Sequence, residues 1–142
     1  MPEITDKLLA ADGIIIASPV YFLDVTARMK TFIDRTRPLH MMGNQLRGKV
    51  AAAIGSTGVA DSGGSQTMDY MYRWISLLEM HPIFAHYDAS NPRAYVLACQ
   101  YAGTDPETHQ AKWTRIQDDE ETHELARTLA KDMYAAMVKL AD

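Results

Sequence analysis

Short apolar runs alternate with amphipathic segments along the chain, and this alternation is the first indication of its fold. A run of β-branched residues predicts a buried strand at 13–17, a run of small apolar residues predicts another at 50–54, and a third is predicted at 82–87. Apolar residues at helical spacing predict helices at residues 2–11, 26–36, 66–79 and 119–140. Buried strands alternating with helices predict an α/β fold, with one parallel sheet and right-handed crossovers, in a single domain of residues 1–142.

Polar residues mark the candidate ends of these helices. Asp24 is the candidate N-cap of the second helix, and Asp118 with Glu121 resembles a capping box before the last one. The pair Asp105-Pro106 resembles another helix start, because proline suits the first helical position. Two stretches lack clear periodicity and are expected to be irregular: residues 37–48, a loop, and residues 88–117, with a candidate extra strand at 95–99.

The segment that follows the first predicted strand is a candidate binding loop, because ligands of parallel sheets sit outside the carboxyl ends of the strands. It reads Ser18-Pro19-Val20-Tyr21-Phe22. Proline turns the chain sharply off the sheet and leaves backbone amides beside an aromatic pair. Such a site favours a flat ring, since the aromatic side chains stack while the amides bond to ring carbonyls. The alternative is that the two rings merely plug the end of the sheet.

A second candidate loop follows the next strand, at the same sheet edge. Glycine lets the backbone approach a planar ligand closely, and the helix that opens here supplies free amide donors. Taken alone the pattern also fits a plain flexible turn, and its significance comes from its position one strand after the first loop. The candidate binding residues of this second loop are Thr57, Gly58, Gly63, Gly64 and Gln66.

Composition narrows the classes of function. A net charge of -4 leaves no basic surface for nucleic acid, and no apolar run approaches the length of a membrane span. No signal peptide is recognisable, so the cytoplasm is the expected compartment. The single cysteine, Cys99, excludes an internal disulfide and a cysteine-ligated cluster, and the histidines show no metal-binding spacing. No dinucleotide-binding glycine motif is present, so a dinucleotide is expected only as a transient hydride donor.

Residues 11–22, continuing to Lys30-Thr31-Phe32-Ile33-Asp34-Arg35, resemble the NADPH-dependent FMN reductase family of the flavodoxin superfamily. The family's hallmark is a strand ending in Ser-Pro-x-Tyr, followed by a helix that carries Lys and Phe-x-Asp-Arg. The resemblance implies a flavodoxin-like three-layer sandwich and an FMN site. In that site Ser18 and residues 19–22 border the isoalloxazine ring, while the glycine-rich segment forms the facing wall. We interpret Lys30, Asp34 and Arg35 as structural.

The function implied by this resemblance is that of an FMN-dependent NAD(P)H oxidoreductase, which passes reducing equivalents to a quinone, a flavin or another small acceptor. The flavin carries that chemistry, so the sequence indicates no catalytic side chain. Two alternatives stay open: a flavin-free scaffold or interaction module with the same fold, and an electron-carrier flavoprotein.

The three predicted strands correspond to the third, fourth and fifth strands of the family's sheet. The family's first strand, phosphate-binding loop, first helix and second strand have no counterpart in these 142 residues. We therefore expect FMN affinity to be weak or absent in the isolated chain, because the charge-assisted phosphate contacts are lacking. We also expect the strand at residues 13–17 to be a bare sheet edge, which favours a homo-oligomer or a second chain that completes the sheet.

Overall fold

The computed structural model describes residues 2–58, 63–84, 101–113 and 116–141. The helices in these ranges are α1 (Pro2–Ala10), α2 (Ala27–Arg35), α3 (Arg37–Met41), α4 (Gly64–Leu77) and α5 (Glu120–Ala141). The strands are β1 (Gly13–Pro19), β2 (Val50–Ser56), β3 (His81–Pro82), β4 (Tyr101–Thr104) and β5 (Ala111–Trp113). A 3-10 turn at Ile116–Asp118 precedes α5.

The main sheet has the strand order β1-β2-β3, and both pairings are parallel. The register pairs Gly13 with Val50 and continues to Pro19 with Ser56, so β1 and β2 end side by side. The third strand begins one residue earlier than predicted, and only His81–Pro82 is a strand within the described residues. Its backbone continues beside β2, where the Ile83 N–H donates to the Ala51 carbonyl (2.8 Å). Residues 85–87 of that prediction lie outside the described part.

Helices cover both faces of this sheet, and the alternation of side chains along β2 explains how. Ala51 and Ala53 join the larger core on one face, with residues of α4 such as Met71 and Ile75. On the other face Val50 and Ala52 pack against residues of α5. Because alanine is small, a helix can approach the sheet closely on each side. The flavodoxin-like α/β architecture expected from the sequence is confirmed, with its parallel sheet between two helical layers.

The start of α2 differs from the prediction. Thr26 is the N-cap, and its side-chain oxygen accepts a hydrogen bond from the Met29 N–H (3.2 Å). Asp24, the predicted cap, instead accepts from the Val25 N–H next to it (2.7 Å). Both residue types make good caps, and the one whose oxygen reaches an amide of the first helical turn fulfils the role.

The start of α5 is also shifted by one residue. Asp119, and not Asp118, precedes the helix, and its carboxylate accepts from the Thr122 N–H (3.4 Å) and the Thr122 hydroxyl (3.0 Å). The side chain of Glu121, the predicted second member of the capping box, lies outside the described part. The helix itself, Glu120–Ala141, confirms the strongest periodicity in the sequence.

The predicted loop at residues 37–48 contains the short helix α3. A polar network fixes the remainder of this stretch: the His40 ring nitrogen Nδ1 lies 2.6 Å from Asn44 Oδ1, and the Asn44 amide donates to the Glu79 carboxylate. The backbone of Asn44 has a positive φ of 51°, which asparagine tolerates better than most residues. The stretch is therefore an ordered connection between α2 and β2.

The predicted helix start at Asp105-Pro106 is a hairpin turn. The Asp105 carboxylate accepts from the backbone N–H groups of Glu107 (2.9 Å) and Thr108 (3.0 Å), which links the antiparallel strands β4 and β5. Aspartate before proline favours either structure, and here pairing of the flanking strands selects the turn. The candidate strand at 95–99 lies outside the described residues. In the described part of the chain, no helix is long and apolar enough to span a membrane.

Candidate functional site

A tight turn projects from the carboxyl end of β1. The Tyr21 N–H donates to the Asp24 carbonyl (3.0 Å) and the Asp24 N–H donates back to the Tyr21 carbonyl (3.2 Å). Between them Phe22 and Leu23 have positive φ angles of 50° and 68°. Paired bonds around two left-handed residues define a type I′ turn, and each of these L-residues costs about 1–2 kcal/mol in this conformation. We call residues 21–24 the aromatic turn.

The apolar side chains of the aromatic turn are largely exposed to solvent. Phe22 is fully exposed, and Tyr21 and Leu23 retain 64% and 58% of their accessible surface. This exposure excludes the alternative in which the two rings plug the end of the sheet. Three adjacent apolar side chains held outside the core, on a strained backbone, form a surface ready to contact a ligand.

The base of this turn is attached to the sheet. The Val20 N–H donates to the Ser56 carbonyl at the end of β2 (2.7 Å). Ser18, a predicted site residue, is only 1% exposed, and its hydroxyl bonds within the protein to the Pro19 carbonyl (2.9 Å) and the Thr26 N–H (3.1 Å). Pro19 is exposed and Val20 is half-buried.

The second predicted loop faces the aromatic turn. We call residues 57–66 the glycine loop; residues 59–62 lie outside the described part. Gly63 is the N-cap of α4, with φ 82°, and a Cβ atom built on it would lie 2.5 Å from the Leu23 Cα atom. The two predicted loops therefore touch, as their shared position at the carboxyl edge implied.

The remaining predicted residues of the glycine loop differ in accessibility. Thr57 and Gly64 are buried, Gly58 is half-buried and Gln66 is exposed. Among the described residues, no side chain caps the N-terminus of α4, and its first turn holds no acidic residue. The first-turn amides, which have no partner inside the helix, are thus available at the edge where the aromatic turn stands.

Leu23 was not predicted as a site residue, although it forms the contact between the two loops. The sequence carries no signal for its role. Type I′ turns are recognised by glycine or asparagine at the two central positions, and this turn has Phe22 and Leu23 there.

These features fit the ring portion of a flavin. Exposed aromatic side chains offer stacking surface, the uncapped α4 offers amide donors for ring carbonyls, and Gly63 allows close approach of the backbone.

No group of three or more His, Cys, Asp or Glu residues that could hold a metal ion occurs within the described ranges.

In the described part of the chain, the charged groups with shifted pKa values belong to α2, α5 and the hairpin turn before β5, outside the two loops. Hydrogen bonding to Asp34 raises the pKa of Lys30, an exposed residue one turn earlier on α2. The two residues form an i,i+4 pair on the surface of α2, and their structural role stays a prediction. On α5, hydrogen bonding to Arg127 lowers the pKa of Glu120. Among the described residues, the surface between the two loops consists of the apolar side chains of the aromatic turn and the backbone of the glycine loop.

Comparison of the sequence with models of protein families shows which family the chain belongs to. The model of the NADPH-dependent FMN reductase family matches residues 1–91, which hold both loops. The chain belongs to this family. The resemblance found in the Ser-Pro-x-Tyr segment is therefore confirmed, and the chain is related to flavin oxidoreductases.

Curated relatives of this FMN reductase family member include archaeal iron–sulfur flavoproteins. One from Methanocaldococcus jannaschii is 49% identical over 65 residues, which are 46% of this chain and 33% of the relative. One from Archaeoglobus fulgidus is 30% identical over 132 residues, which are 91% of this chain and 61% of the relative. The chain thus spans between one third and about three fifths of the length of these two relatives.

Solved structures show the same fold for the FMN reductase family member. A flavodoxin, WrbA-like protein from Agrobacterium tumefaciens superposes with a TM-score of 0.69 at 17% identity, covering 96% of this chain and 73% of that one. An NADPH-quinone reductase from P. pentosaceus gives a TM-score of 0.51 at 15% identity, covering 96% and 71%. At such low identity the likeness establishes the fold.

Proposed function

We propose that the chain is an FMN-dependent NAD(P)H oxidoreductase that holds the flavin ring between the aromatic turn and the glycine loop, and passes reducing equivalents to a quinone, a flavin or another small acceptor. The observation that carries the proposal is the strained turn, with exposed Tyr21 and Phe22, that packs on Gly63 at the carboxyl edge of the sheet. Family membership supports the flavin.

The protein's part in this reaction is binding and orientation. The bound flavin would supply the acceptance and release of hydride. Tyr21 and Phe22 offer apolar surface that keeps water from a planar ring, and the amides at the start of α4 donate hydrogen bonds to polar ring atoms. The open surface around the aromatic turn leaves room for NAD(P)H to approach as a transient donor.

If the protein contacts only the ring of the flavin, its affinity for FMN should be weak. A phosphate contributes charge-assisted hydrogen bonds that are about twice as strong as neutral ones. The two loops hold no lysine or arginine that could make such bonds. We therefore expect FMN and riboflavin to bind with similar affinity, which distinguishes a ring site from a complete FMN site.

An iron–sulfur cluster is not part of this proposal, although the names of several relatives include one. The 142 residues contain one cysteine, Cys99, whereas clusters of this kind require about four cysteine ligands. The residues of this chain thus supply no such cluster to the flavin site, and we propose a small acceptor for the electrons. An electron-carrier flavoprotein is the second candidate, since it needs the same ring site but no NAD(P)H.

The test titrates FMN and riboflavin against the full 142-residue chain and follows flavin fluorescence. Phe22→Ala should weaken binding about tenfold, because base–aromatic and similar ring stacking contributes about 1–3 kcal/mol. Leu77→Ala is the matched control, since Leu77 is an exposed apolar side chain (59%) on the opposite end of α4. Absence of flavin binding, or equal loss in both variants, would overturn the proposed site.

A second measurement separates the candidate functions. Anaerobic addition of NADPH or NADH to the flavin-loaded chain should bleach the flavin absorbance if the chain is an oxidoreductase. Bleaching by a reductase partner but by neither dinucleotide would identify the electron carrier. A colourless chain that FMN does not stabilise thermally would favour the flavin-free scaffold.

We also propose that the chain forms a homo-oligomer through the edge of β1 with which no described strand pairs. The Val50 N–H donates to the Asp12 carbonyl, and the Val20 N–H donates to the Ser56 carbonyl. The even-numbered residues of β1 therefore direct their backbone N–H and C=O groups toward β2. Gly13, Ile15 and Ala17 then direct their backbone groups to the other edge, with which no described strand pairs. Ile15 is 50% exposed, and neither lysine nor glutamate protects this edge.

Light scattering on the purified chain tests this assembly. The wild-type chain should be a dimer or larger, and Ile15→Lys should shift it to the monomer because a charge on the edge opposes strand pairing. Leu77→Lys adds the same charge at an exposed position of α4, which packs on β2 and β3, and should leave the assembly unchanged. A monodisperse wild-type monomer would contradict the proposal and favour a separate polypeptide as the partner.

A further inference from the structure

Ser18 connects two elements from inside the protein. It is the last buried residue of β1, with 1% of its surface exposed, and it precedes the loop that carries the aromatic turn. Its hydroxyl accepts a hydrogen bond from the Thr26 N–H (3.1 Å), which lies eight residues further on at the start of α2. The same hydroxyl donates to the Pro19 carbonyl (2.9 Å). One buried side chain thus joins both ends of the loop.

The loop between these ends carries the strain described above. Phe22 and Leu23 hold left-handed conformations that L-residues avoid, and such conformations persist only where the surroundings over-determine them. The surroundings here are the Val20–Ser56 backbone bond, the contact with Gly63 and the Ser18 hydroxyl. Of these three, the Ser18 bond is the one that connects Thr26, where the chain leaves the loop, to the end of β1.

We propose that Ser18 is a positioning residue: its buried hydroxyl fixes the aromatic turn at the sheet edge and thereby sets flavin affinity without touching the ligand. The inference rests on the proposed flavin site and changes the role predicted for Ser18 there. A residue with 1% exposure and with its hydroxyl engaged at both ends has no free surface to offer a ring. Its effect on the ligand passes through Tyr21 and Phe22.

The first test measures the turn itself, without flavin. Amide hydrogen exchange at Val20 and Asp24 reports the two backbone bonds that hold the turn. Ser18→Ala should speed this exchange about tenfold, since loss of one such hydrogen bond changes an opening equilibrium by roughly that factor. Exchange no faster than in the control variant described next would overturn the inference.

Thr26→Ala is the matched control. It keeps the N–H that bonds to Ser18 but removes the hydroxyl that caps α2, so it destabilises the helix and leaves the loop closed. Thr26→Pro removes the same cap and also the N–H, and the φ of −64° at this position suits proline. If Ser18→Ala fails to fold, a faster turn exchange in Thr26→Pro than in Thr26→Ala supports the inference, and equal exchange overturns it.

The second test adds the ligand. Ser18→Ala should raise the dissociation constant for FMN about tenfold and broaden the flavin absorbance bands, whereas Thr26→Ala should leave both near wild type even where it lowers thermal stability by a similar amount. Equal flavin binding by the two variants would overturn the link to affinity. A wild-type chain that binds no flavin would refute the proposed function, and the exchange measurements would still decide whether Ser18 positions the turn.

Discussion

Gly63 packs against the backbone of Leu23 so closely that a Cβ atom on Gly63 would lie 2.5 Å from the Leu23 Cα atom and within 3.0 Å of its side chain. Real Cβ contacts are longer than this, so any other residue at position 63 must displace the aromatic turn or the start of α4. Because the neighbour is backbone, no rotamer change can relieve the overlap. The aromatic turn and the glycine loop are therefore in tight contact between Leu23 and Gly63.

Gly63→Ala should destabilise the protein by about 2–4 kcal/mol, since it adds overpacking to the strain of a positive φ. Gly43→Ala provides the control, because Gly43 also has a positive φ (92°) but nothing within 4 Å of its added Cβ. That variant should lose only about 1 kcal/mol. Urea unfolding measures both, and equal losses would show that the close approach to Leu23 does not matter.

Phe22→Gly should stabilise the chain while weakening flavin binding. Glycine relieves the strain at φ 50°, and the lost phenyl ring is fully exposed, so no core contact is removed. Relative to Phe22→Ala, we expect the glycine variant to be more stable by about 1 kcal/mol. Both variants should bind FMN more weakly than wild type. A glycine variant less stable than the alanine variant would show that the turn is not strained.

Trp74→Phe should lower the free energy of unfolding by about 1–3 kcal/mol. The buried indole N–H donates to the Thr36 hydroxyl (2.8 Å), which in turn donates to the Ile33 carbonyl. The variant leaves the Thr36 oxygen without that donor inside the core. Trp113→Phe, at a side chain that is 52% exposed, should change stability far less. Thermal unfolding followed by circular dichroism measures both, independently of tryptophan fluorescence.

The hairpin turn should depend on pH through Asp105. Hydrogen bonds from the backbone N–H of Thr108, from Lys112 and from the backbone N–H of Glu107 lower the pKa of this carboxyl from 3.8 to about 2. The folded form therefore holds the proton less tightly than the unfolded form. Its contribution to hairpin stability is complete above about pH 4 and disappears as the pH falls toward 2.

Nuclear magnetic resonance of the Asp105 carboxyl carbon measures this titration directly. Lys112→Gln should raise the pKa only in part, because the largest cause of the shift is the Thr108 backbone N–H. Asp105→Asn should abolish the loss of hairpin order between pH 4 and 2. A carboxyl that titrates at its ordinary value in the folded chain would contradict the described turn.

The sequence predicts the elements whose signals are local. The apolar runs and the helical periodicities place β1, β2, α4 and α5 within a few residues, and parallel pairing brings the two binding loops to one edge. The sequence does not predict the hairpin of β4 and β5, because these strands are short and are defined by pairing with each other. The choice of Thr26 over Asp24 as the cap of α2 also depends on geometry that two equally suitable residue types do not reveal.

The shape of the aromatic turn is the part of the candidate site that no sequence pattern indicates. Phenylalanine and leucine at positions 22 and 23 carry no propensity for left-handed backbone. Their conformation follows from contacts that meet only in the folded protein: the bond of Val20 to Ser56 and the contact of Leu23 with Gly63. The sequence therefore predicts which segments form the candidate site but not the conformation of the turn that exposes its rings.

The left-handed conformation of Phe22 and Leu23 also bears on the kinetics of binding. The turn reaches its final shape when the chain folds, so a ligand that arrives later meets a surface with little remaining freedom to lose. Association should then follow a single exponential phase at every ligand concentration, with no slow rearrangement after the encounter. Variants that loosen the turn should introduce that slow phase, and the protein would change from a rigid receptor to one that closes around its ligand.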